Sequence, residues 1–200
     1  MQNIGITKQI TQEQKRSLAQ ICYEAFSKKF AVFLLFDDDA DRCAACLVDC
    51  INYENCLCAV FGEDILGFAG LDHGKKRFKH FTYRALRKHY GFWGGMGRAL
   101  SNALFGAFFE NVKKGCLHID AVAVSEQARG KGVGTLLMEA SFDEARRLGF
   151  QKASLEVINT NPRAQQLYEK LGFVVEKVQQ SGRFTQTAGF TSSAYMVKKL

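Results

Sequence analysis

Proline is almost absent from this chain of 200 residues, which contains a single one, Pro162. A polyproline linker or a proline-rich disordered tail is therefore not expected. The sequence also lacks any run of about eighteen uncharged apolar residues, so we expect no transmembrane helix. The segment MQNIGITKQI at the N-terminus has no apolar signal core, and we therefore expect the protein to be cytoplasmic.

Disulfide bonds are not expected either, although the chain contains seven cysteines. In a chain of this length and expected location, reduced thiols are the default. Cys43, Cys46 and Cys50 recur at helical spacing, and Cys56 and Cys58 follow on an adjacent predicted strand. A zinc site needs four ligands in two compact pairs, which this spacing meets only loosely. The cysteines are therefore predicted to pack in the core, and no metal site is predicted.

Acidic residues are missing from the segment His73 to Tyr90, which contains seven lysines and arginines. Those seven charges equal the net charge of +7 of the whole chain. The remaining composition, 47% hydrophobic, is that of one globular domain with a substantial core. The positive charge fits an anionic ligand without naming it.

The clearest pattern in the chain runs over residues 117–148. Leu117 to Val124 alternates and is rich in Ile, Val and Ala, which predicts a strand. From Leu136 the apolar residues recur at three- and four-residue steps, which predicts an amphipathic helix ending at Gly149. Residues 129–135 between them contain three glycines at alternate positions and two basic side chains. Bare N–H groups at such a turn, next to a helix N-terminus, predict a diphosphate site.

Several classes of site contain a glycine-rich turn of this kind. A P-loop needs four residues between Gly and Gly-Lys-Ser/Thr, and the sequence has no such run. A Rossmann turn needs GxGxxG at the start of a βαβαβ half. Here the spacing is GxGxG, Glu156 lies inside its strand rather than at its end, and too little chain follows for a second half. A plain strand–turn–helix, with glycines used only for bending, remains a structural alternative.

A second motif follows the first at a short distance. Residues 154–157 predict a short strand, and Asn161 can cap a helix that has Pro162 at its first position. Four residues then share one face of that helix: Ala164, Leu167, Tyr168 and Leu171. Gly172 is expected to end it.

Together the two motifs resemble those of a known superfamily. The spacing Arg-x-x-Gly-x-Gly, met by Arg129, Gly132 and Gly134, resembles the pyrophosphate-binding motif of the GNAT superfamily of acyl-CoA-dependent N-acetyltransferases. The spacing Asn-x-x-Ala-x-x-Leu-Tyr-x-x-x-Gly-Phe, from Asn161 to Phe173, resembles its second signature. The resemblance is specific over residues 116–178 and general elsewhere.

The resemblance implies an α+β fold in a single domain of residues 1–200. We expect a mixed, mostly antiparallel central sheet of about seven strands flanked by helices. In the superfamily, the strand before the glycine turn and the next parallel strand splay apart. Residues 72–115 would then be a helical insertion between strands 3 and 4.

The same resemblance implies acetyl-CoA as the cofactor and assigns residues to it. Val122 and Val124 would pair through their backbone with the pantetheine arm, and the Val122 N–H would donate to the thioester oxygen. The diphosphate would bind seven consecutive residues: Arg129, Gly130, Lys131, Gly132, Val133, Gly134 and Thr135. Asn161 and Ala164 would complete the cofactor site.

The resemblance also identifies candidates for proton transfer. Tyr168 matches the tyrosine that gives a proton to the CoA sulfur, although a packed helix aromatic is the structural alternative. His118 occupies a strand position where several members keep a glutamate base; an imidazole can do that work at neutral pH, and a hydrogen-bonded strand histidine is the alternative. Asp120, predicted by strand alternation to share a face with His118 and Val122, is a second candidate base. Glu156 on the neighbouring strand is the third.

Two further segments are expected near the acceptor. Residues 37–41 contain four aspartates, which could receive a cationic amine but fit helix capping better. In the insertion, Leu100, Leu104, Ala107 and Phe108 step like one face of a helix. The first interpretation of the insertion is a helical hairpin that packs on the core and exposes its basic face to solvent. The other two readings are a lid shaped by aromatics (Phe92, Trp93, Phe105 and Phe109) and a surface for anionic membrane or nucleic acid.

The sequence therefore predicts an N-acetyltransferase that moves an acetyl group from acetyl-CoA to a primary amine in a ternary complex. The acceptor, a small molecule or a peptide amine, stays open. The alternatives are a CoA-binding regulatory module without turnover and a Rossmann-type nucleotide binder. No firm nucleic-acid or membrane partner is predicted, and a homodimer through the sheet edge or the insertion is one option for assembly.

Overall fold

The computed structural model describes the backbone of residues 4–109, 115–181 and 185–200, and the side chains of these residues except 105–109. Strands within these ranges are β1 (Gly5–Thr7), β2 (Cys56–Phe61), β3 (Asp64–Asp72), β4 (Leu117–Val124), β5 (Lys152–Ile158), β6 (Val174–Gln180) and β7 (Ser192–Lys199). They form a seven-stranded sheet in the order β1-β2-β3-β4-β5-β7-β6. Among these strands, β4 and β5 pair parallel and the other neighbours pair antiparallel. The mixed, mostly antiparallel sheet confirms the expected fold class and contradicts a Rossmann-type parallel sheet.

Helices flank the sheet and connect its strands. They are α1 (Gln12–Lys29), α2 (Ala40–Cys50), α3 (Tyr83–Phe109), α4 (Val133–Arg147) and α5 (Pro162–Lys170), and a π-helix, Phe30–Leu34, continues α1. Predicted capping residues begin two of the helices. Asp39 Oδ1 accepts from the Arg42 N–H at 3.0 Å, and Asn161 Oδ1 accepts from the Ala164 N–H at 3.2 Å. Each such cap contributes about 1 kcal/mol to helix stability.

The core lies in two clusters, one on each face of the sheet. Helices α1 and α2 cover one face, where Leu18, Cys22 and Phe68 are fully buried. Helix α4 covers the other face, where Leu137 and Met138 are fully buried. All seven cysteines are buried free thiols, which confirms their predicted role in core packing.

A β-bulge interrupts β4 at Asp120. Gly70 of β3 pairs with Ala121, whereas the next residue, Leu71, pairs with Ile119. Asp120 is therefore the extra residue of β4, and a bulge of this kind bends the strand and redirects its side chains. Bulges are common beside active sites, where they aim a side chain.

The bulge changes which face of the sheet the following side chains occupy. Leu117 packs with the α4 cluster before the bulge, whereas Ala121 and Ala123 pack with the α1–α2 cluster after it. Val122 consequently packs on the α4 side. The expectation that Val122 shares a face with His118 is wrong, because simple strand alternation does not survive an inserted residue.

In the described part of the insertion, α3 consists of two helical segments that fold against each other, as the predicted helical hairpin requires. A Cβ at Gly95 would lie 2.7 Å from Arg87 Cα, whereas eight residues span about 12 Å along one straight helix. The backbone of α3 bends at Gly91, whose φ of 70° and ψ of −176° lie outside the helical region.

Residues 73–82, between β3 and α3, form a loop with two isolated β-bridges. One bridge pairs Ile51 with Lys79, and the other pairs His73 with Lys76. The loop of residues 73–82 thereby joins the end of β3 to the end of α2.

The outer half of α3 turns its apolar residues outward. Trp93, Leu100 and Leu104 are 79%, 63% and 55% exposed. Asn102 lies on the inner side, where its Nδ2 donates to Leu34 O at 2.8 Å. The apolar periodicity correctly predicts a helix here, but Leu100 and Leu104 of the predicted apolar face are exposed. Ala107 and Phe108, the other two residues of that face, lie outside the described side chains. Over the described residues, no helix has the length and apolarity needed to cross a bilayer.

Candidate active site

The two central strands separate and leave a gap between them. Parallel pairing of β4 with β5 is confined to Leu117–Ile119 opposite Ala153–Leu155. Beyond that point β4 continues beside β3 as far as Val124, and β5 continues beside β7 as far as Ile158. A cavity of about 1140 Å³ occupies this region. Besides residues of the strands, its lining includes the end of α1, the loop of residues 73–82, the inner side of α3, helix α5 and residues 185–190.

The glycine-rich turn lies at the outer end of β4. Gly130 and Gly132 have φ of 75° and 80°, the left-handed region that favours glycine, and a Cβ at either would meet only open space. Gly132 caps α4 without a side-chain partner, so the first N–H groups of that helix have no intrahelical acceptor. Arg129 and Lys131 are exposed beside them. The turn can therefore hold an anionic group against backbone donors and two cations.

His118 lies on β4 just before the bulge and faces the cavity. Its Nδ1 is 3.1 Å from Ser154 Oγ, and its ring stacks on Tyr195 with centroids 6.3 Å apart. Burial lowers the pKa of His118 below 6.5, because an imidazolium loses hydration there. His118 is therefore neutral at pH 7 and able to accept a proton.

Asp120, the bulged residue, also lines the cavity but is held in an ion pair. Lys79 Nζ donates to Asp120 Oδ2. Burial alone would raise the pKa of Asp120, but the ammonium groups of Lys79 and Lys29 outweigh it and hold that pKa well below its ordinary value. A carboxylate with so low a pKa is a weak proton acceptor.

Asp72, at the end of β3, is a third titratable group in the cavity wall. It accepts from the Phe78 N–H at 2.6 Å, and Arg77 Nε lies 3.8 Å from its other oxygen. Burial, with the nearby charge of Asp120, raises the pKa of Asp72 to about 7. The sequence did not single out Asp72, since its role depends on a loop that folds back onto the strand.

One side of the cavity contains the residues of the second motif. Asn161, Ala164 and Tyr168 line it, and so does Glu156 from β5. The Tyr168 ring packs edge-on against Phe173 with centroids 6.0 Å apart, and burial raises the pKa of its hydroxyl. That hydroxyl is therefore protonated at neutral pH and has a proton to donate.

Other predicted acceptor residues lie elsewhere. Phe92 and Trp93 are exposed and outside the cavity wall, whereas Ala99 and Asn102 of the same helix line it. Phe105 and Phe109 lie outside the described side chains. The Asp37 carboxylate is bound by both Nε and Nη2 of the Arg42 guanidinium, at 2.6 and 2.7 Å. None of residues 37–41 lines the cavity in the described structure, which favours the capping reading.

Comparison with known sequences shows similarity to acetyltransferases. A model of the Acetyltransferase (GNAT) family matches residues 16–173. An N-alpha-acetyltransferase of Sulfurisphaera tokodaii is 43% identical over 68 residues, which are 34% of this chain and 40% of that protein. The match therefore spans less than half the length of that relative.

Comparison with solved structures extends over nearly the whole chain. An N-acetyltransferase from Staphylococcus aureus Mu50 aligns with a TM-score of 0.63 and 17% identity, covering 96% of this chain and 99% of that one. The NatC complex bound to Gag peptide and CoA aligns with a TM-score of 0.56 and 16% identity, covering 98% of each chain. At such identities the likeness concerns the fold. Because the family model covers well over half of the sequence, the chain belongs to the GNAT family of acetyltransferases.

Proposed function

We propose that this protein is an N-acetyltransferase that moves an acetyl group from acetyl-CoA directly to an amine within a ternary complex. The observation that carries the proposal is the gap between β4 and β5. It has an anion-binding glycine turn at its outer end and a cavity lined by titratable side chains on its inner side. The two substrates could therefore meet without a covalent enzyme intermediate.

The residues around the gap fit acetyl-CoA. Its diphosphate suits residues 129–135, where backbone N–H groups and two cations surround open space. The pantetheine arm, which carries amide groups, suits the backbone of Val122 and Val124 along the edge of β4 that faces the gap. Val124 O accepts from Arg129 Nε at 3.3 Å on that edge. Asn161 and Ala164 would border it from α5. When bound, acetyl-CoA supplies an activated acetyl thioester.

Among the three candidate bases, the electrostatics favour His118. An alkyl amine is mostly an ammonium ion at neutral pH, so a proton must leave before attack. His118 is neutral at pH 7 and lines the cavity. Asp120 is held as a low-pKa carboxylate by Lys79, and we assign it to holding that lysine in place. Glu156 also lines the cavity and remains the second candidate.

Tyr168 is the proposed proton donor to the departing sulfur. Its hydroxyl keeps its proton at neutral pH, because burial raises its pKa. The Val122 N–H is the proposed donor to the thioester oxygen as negative charge develops there. His118 would take the proton that the ammonium group loses before attack. Tyr168 would give its proton to the departing sulfur and regain one from the acceptor nitrogen, which loses a second proton as the amide forms.

The acceptor class follows from the comparisons only as a proposal. The Sulfurisphaera tokodaii relative is named an N-alpha-acetyltransferase, and the aligned NatC structure is described with a peptide bound. A cavity of about 1140 Å³ is large enough for the first residues of a peptide. A peptide α-amine or a small-molecule amine is therefore the proposed acceptor.

Calorimetric titration with acetyl-CoA, followed by an acetyl-transfer assay on a panel of amines, tests the function. We expect a Kd in the micromolar range for acetyl-CoA, no binding of NAD or ATP, and turnover of at least one amine. Binding without turnover on any amine would support a CoA-binding regulatory module instead. An absence of acetyl-CoA binding would overturn the cofactor assignment and the enzyme together.

A further inference from the structure

The charged side chains of the cavity do not balance. Five basic residues line it: Lys28, Lys29, Lys75, Arg77 and Lys79. Three acidic residues line it in the described structure: Asp72, Asp120 and Glu156. Even with all three of these carboxylates ionised, the described part of the wall has an excess of positive charge. A protonated amine alone would enter a cavity that repels it.

Two of the carboxylates are already engaged by cations of the wall. Lys79 forms an ion pair with Asp120, and Arg77 Nε lies 3.8 Å from Asp72 Oδ2. With a pKa of about 7, Asp72 also carries only part of its charge at neutral pH. Neither carboxylate is available as a dedicated counterion for an incoming ammonium group.

Lys29 is the basic residue of the wall whose ammonium group is, on balance, destabilised by burial. It ends α1 and is half-buried at the cavity. Among the described residues, no carboxylate oxygen lies within the 4.0 Å of an ion pair from its Nζ. The negative charges of Asp120 and Glu156 act on this ammonium group, but burial outweighs them and lowers the pKa of Lys29. A ligand carboxylate would relieve that cost.

Lys28 extends the same positive region toward the mouth of the cavity. Its Nζ lies 3.5 Å from the position that a Cβ would take at Gly189, in the segment between β6 and β7. Lys28 and Lys29 thus line consecutive parts of one wall. A carboxylate entering there could be bound by both ammonium groups, and charge-assisted hydrogen bonds of this kind are about twice as strong as neutral ones.

We infer that the acceptor of this enzyme carries a carboxylate a few bonds from the amine that is acetylated, and that Lys29, with Lys28, binds it. This inference rests on the proposed N-acetyltransferase function. Two sources offer the required chemistry: a free amino acid, and a peptide whose first residue is aspartate or glutamate. Both bring an amine and a carboxylate into the cavity together.

Rates of acetyl transfer to matched acceptors test the inference and separate the two sources. One arm compares three peptides that differ only in their first residue, Glu, Gln or Lys. The other arm compares free glutamate with its dimethyl ester. We expect kcat/KM for the carboxylate-bearing member of at least one arm to exceed that of its neutral match about tenfold or more. The arm that shows this preference identifies the source.

Substitution of Lys29 shows whether this residue is responsible. Lys29→Met should bring the preference for the carboxylate close to one, whereas Lys29→Arg, which keeps the charge, should retain most of it. Lys152→Met is the matched control, because Lys152 is exposed at the start of β5 and lies outside the cavity wall. Circular dichroism and the Kd for acetyl-CoA verify that each variant is folded.

The outcomes separate this inference from the proposed function. The inference would be overturned if, in both arms, the acceptors without the carboxylate had a kcat/KM equal to or higher than that of the carboxylate-bearing member. The proposed N-acetyltransferase function would not be affected by that result. A carboxylate preference that survives Lys29→Met would overturn the assignment to Lys29. If a folded enzyme that binds acetyl-CoA acetylates no amine at all, the proposed function fails and the inference fails with it.

Discussion

At the scale of single residues, the surroundings of His118 and Asp120 determine which can take a proton. Both lie on the same strand, two positions apart, and both line the cavity. Asp120 is bound to Lys79, whereas His118 has a neutral hydroxyl neighbour in Ser154. The residue types alone would favour neither, because a carboxylate and an imidazole are both common bases. The difference comes from Lys79, which is forty-one positions away from Asp120 in sequence.

The pH dependence of kcat/KM tests the role of His118. Burial lowers its pKa below 6.5, so the neutral form, which accepts the proton, persists at pH 7 and is lost only as the pH falls below 6.5. We expect kcat/KM to decline in that acidic range. His118→Gln should reduce kcat/KM at pH 7 by about 100-fold or more and remove that decline.

A second histidine provides the control for this measurement. His73 also has a pKa lowered by burial, but it lies outside the cavity wall. His73→Gln should therefore leave both the rate and the acidic decline unchanged. If His118→Gln kept the wild-type profile, the base would be another group, with Glu156 the next to test.

How much of the site could be predicted from sequence differs between its two sides. The proposed cofactor side is made of short contiguous motifs, so residues such as Gly132, Asn161 and Tyr168 could be proposed from their spacing. The acceptor side is assembled from segments that are distant in sequence. Lys29, Asp72 and Lys79 meet there only because α1, β3 and the loop of residues 73–82 fold together. Contacts between residues so far apart in sequence leave no local sequence motif from which they could be predicted.

At the scale of elements, helix α3 departs most from its sequence pattern. Its apolar periodicity predicts a helix that packs its leucines inward, yet Leu100 is 63% exposed. The inner side is instead occupied by Arg98 and Asn102, whose side chains bond carbonyls at the end of the π-helix. Free carbonyls at a helix end need donors, and α3 supplies them. Apolar periodicity therefore identifies the apolar face of a helix, but it does not show whether that face packs on the core or is exposed.

Substitutions on the two sides of α3 should differ in their effect on stability. Arg98 donates to Leu35 O and to Phe36 O, and its guanidinium lies 3.8 Å from the centre of the Tyr90 ring. Arg98→Ala should lower the free energy of unfolding by about 1–3 kcal/mol, measured by urea denaturation.

The matched substitution on the outer side is Leu100→Lys. Because Leu100 is mostly exposed, this change should alter the free energy of unfolding by less than about 0.5 kcal/mol. A loss equal to that of Arg98→Ala would mean that Leu100 is covered in solution. An Arg98→Ala variant as stable as the wild type would show that the carbonyls find other donors, such as water.

At the scale of the whole molecule, the fold brings three features to one place: the gap, the bulge and the loop of residues 73–82. The mixed sheet and the gap were predictable from the resemblance, because the two motifs fix the strands on either side of the gap. The bulge at Asp120 was not, since the sequence of β4 alternates without interruption. Its position is set by pairing with β3, which involves residues about fifty positions earlier.

Gly70 connects the sheet to that loop, and its substitution tests the connection. A Cβ at Gly70 would overlap the ring of Phe78, the residue whose N–H bonds Asp72 at 2.6 Å. Gly70→Ala should therefore displace the loop that carries Lys79. We expect it to lower the free energy of unfolding by about 1–3 kcal/mol and to reduce acetyl transfer more than acetyl-CoA binding.

Gly5→Ala on the edge strand β1 is the control for this substitution. Its Cβ would meet only Val60 Cγ2, at 3.6 Å, which is ordinary van der Waals contact. This variant should keep the stability and the rate of the wild type. The Kd from calorimetry and kcat/KM from the transfer assay distinguish the two effects of Gly70→Ala. If that variant lost acetyl-CoA binding and acetyl transfer to the same extent, the two sides of the gap would depend on each other, and the loop of residues 73–82 would not be a separate acceptor wall.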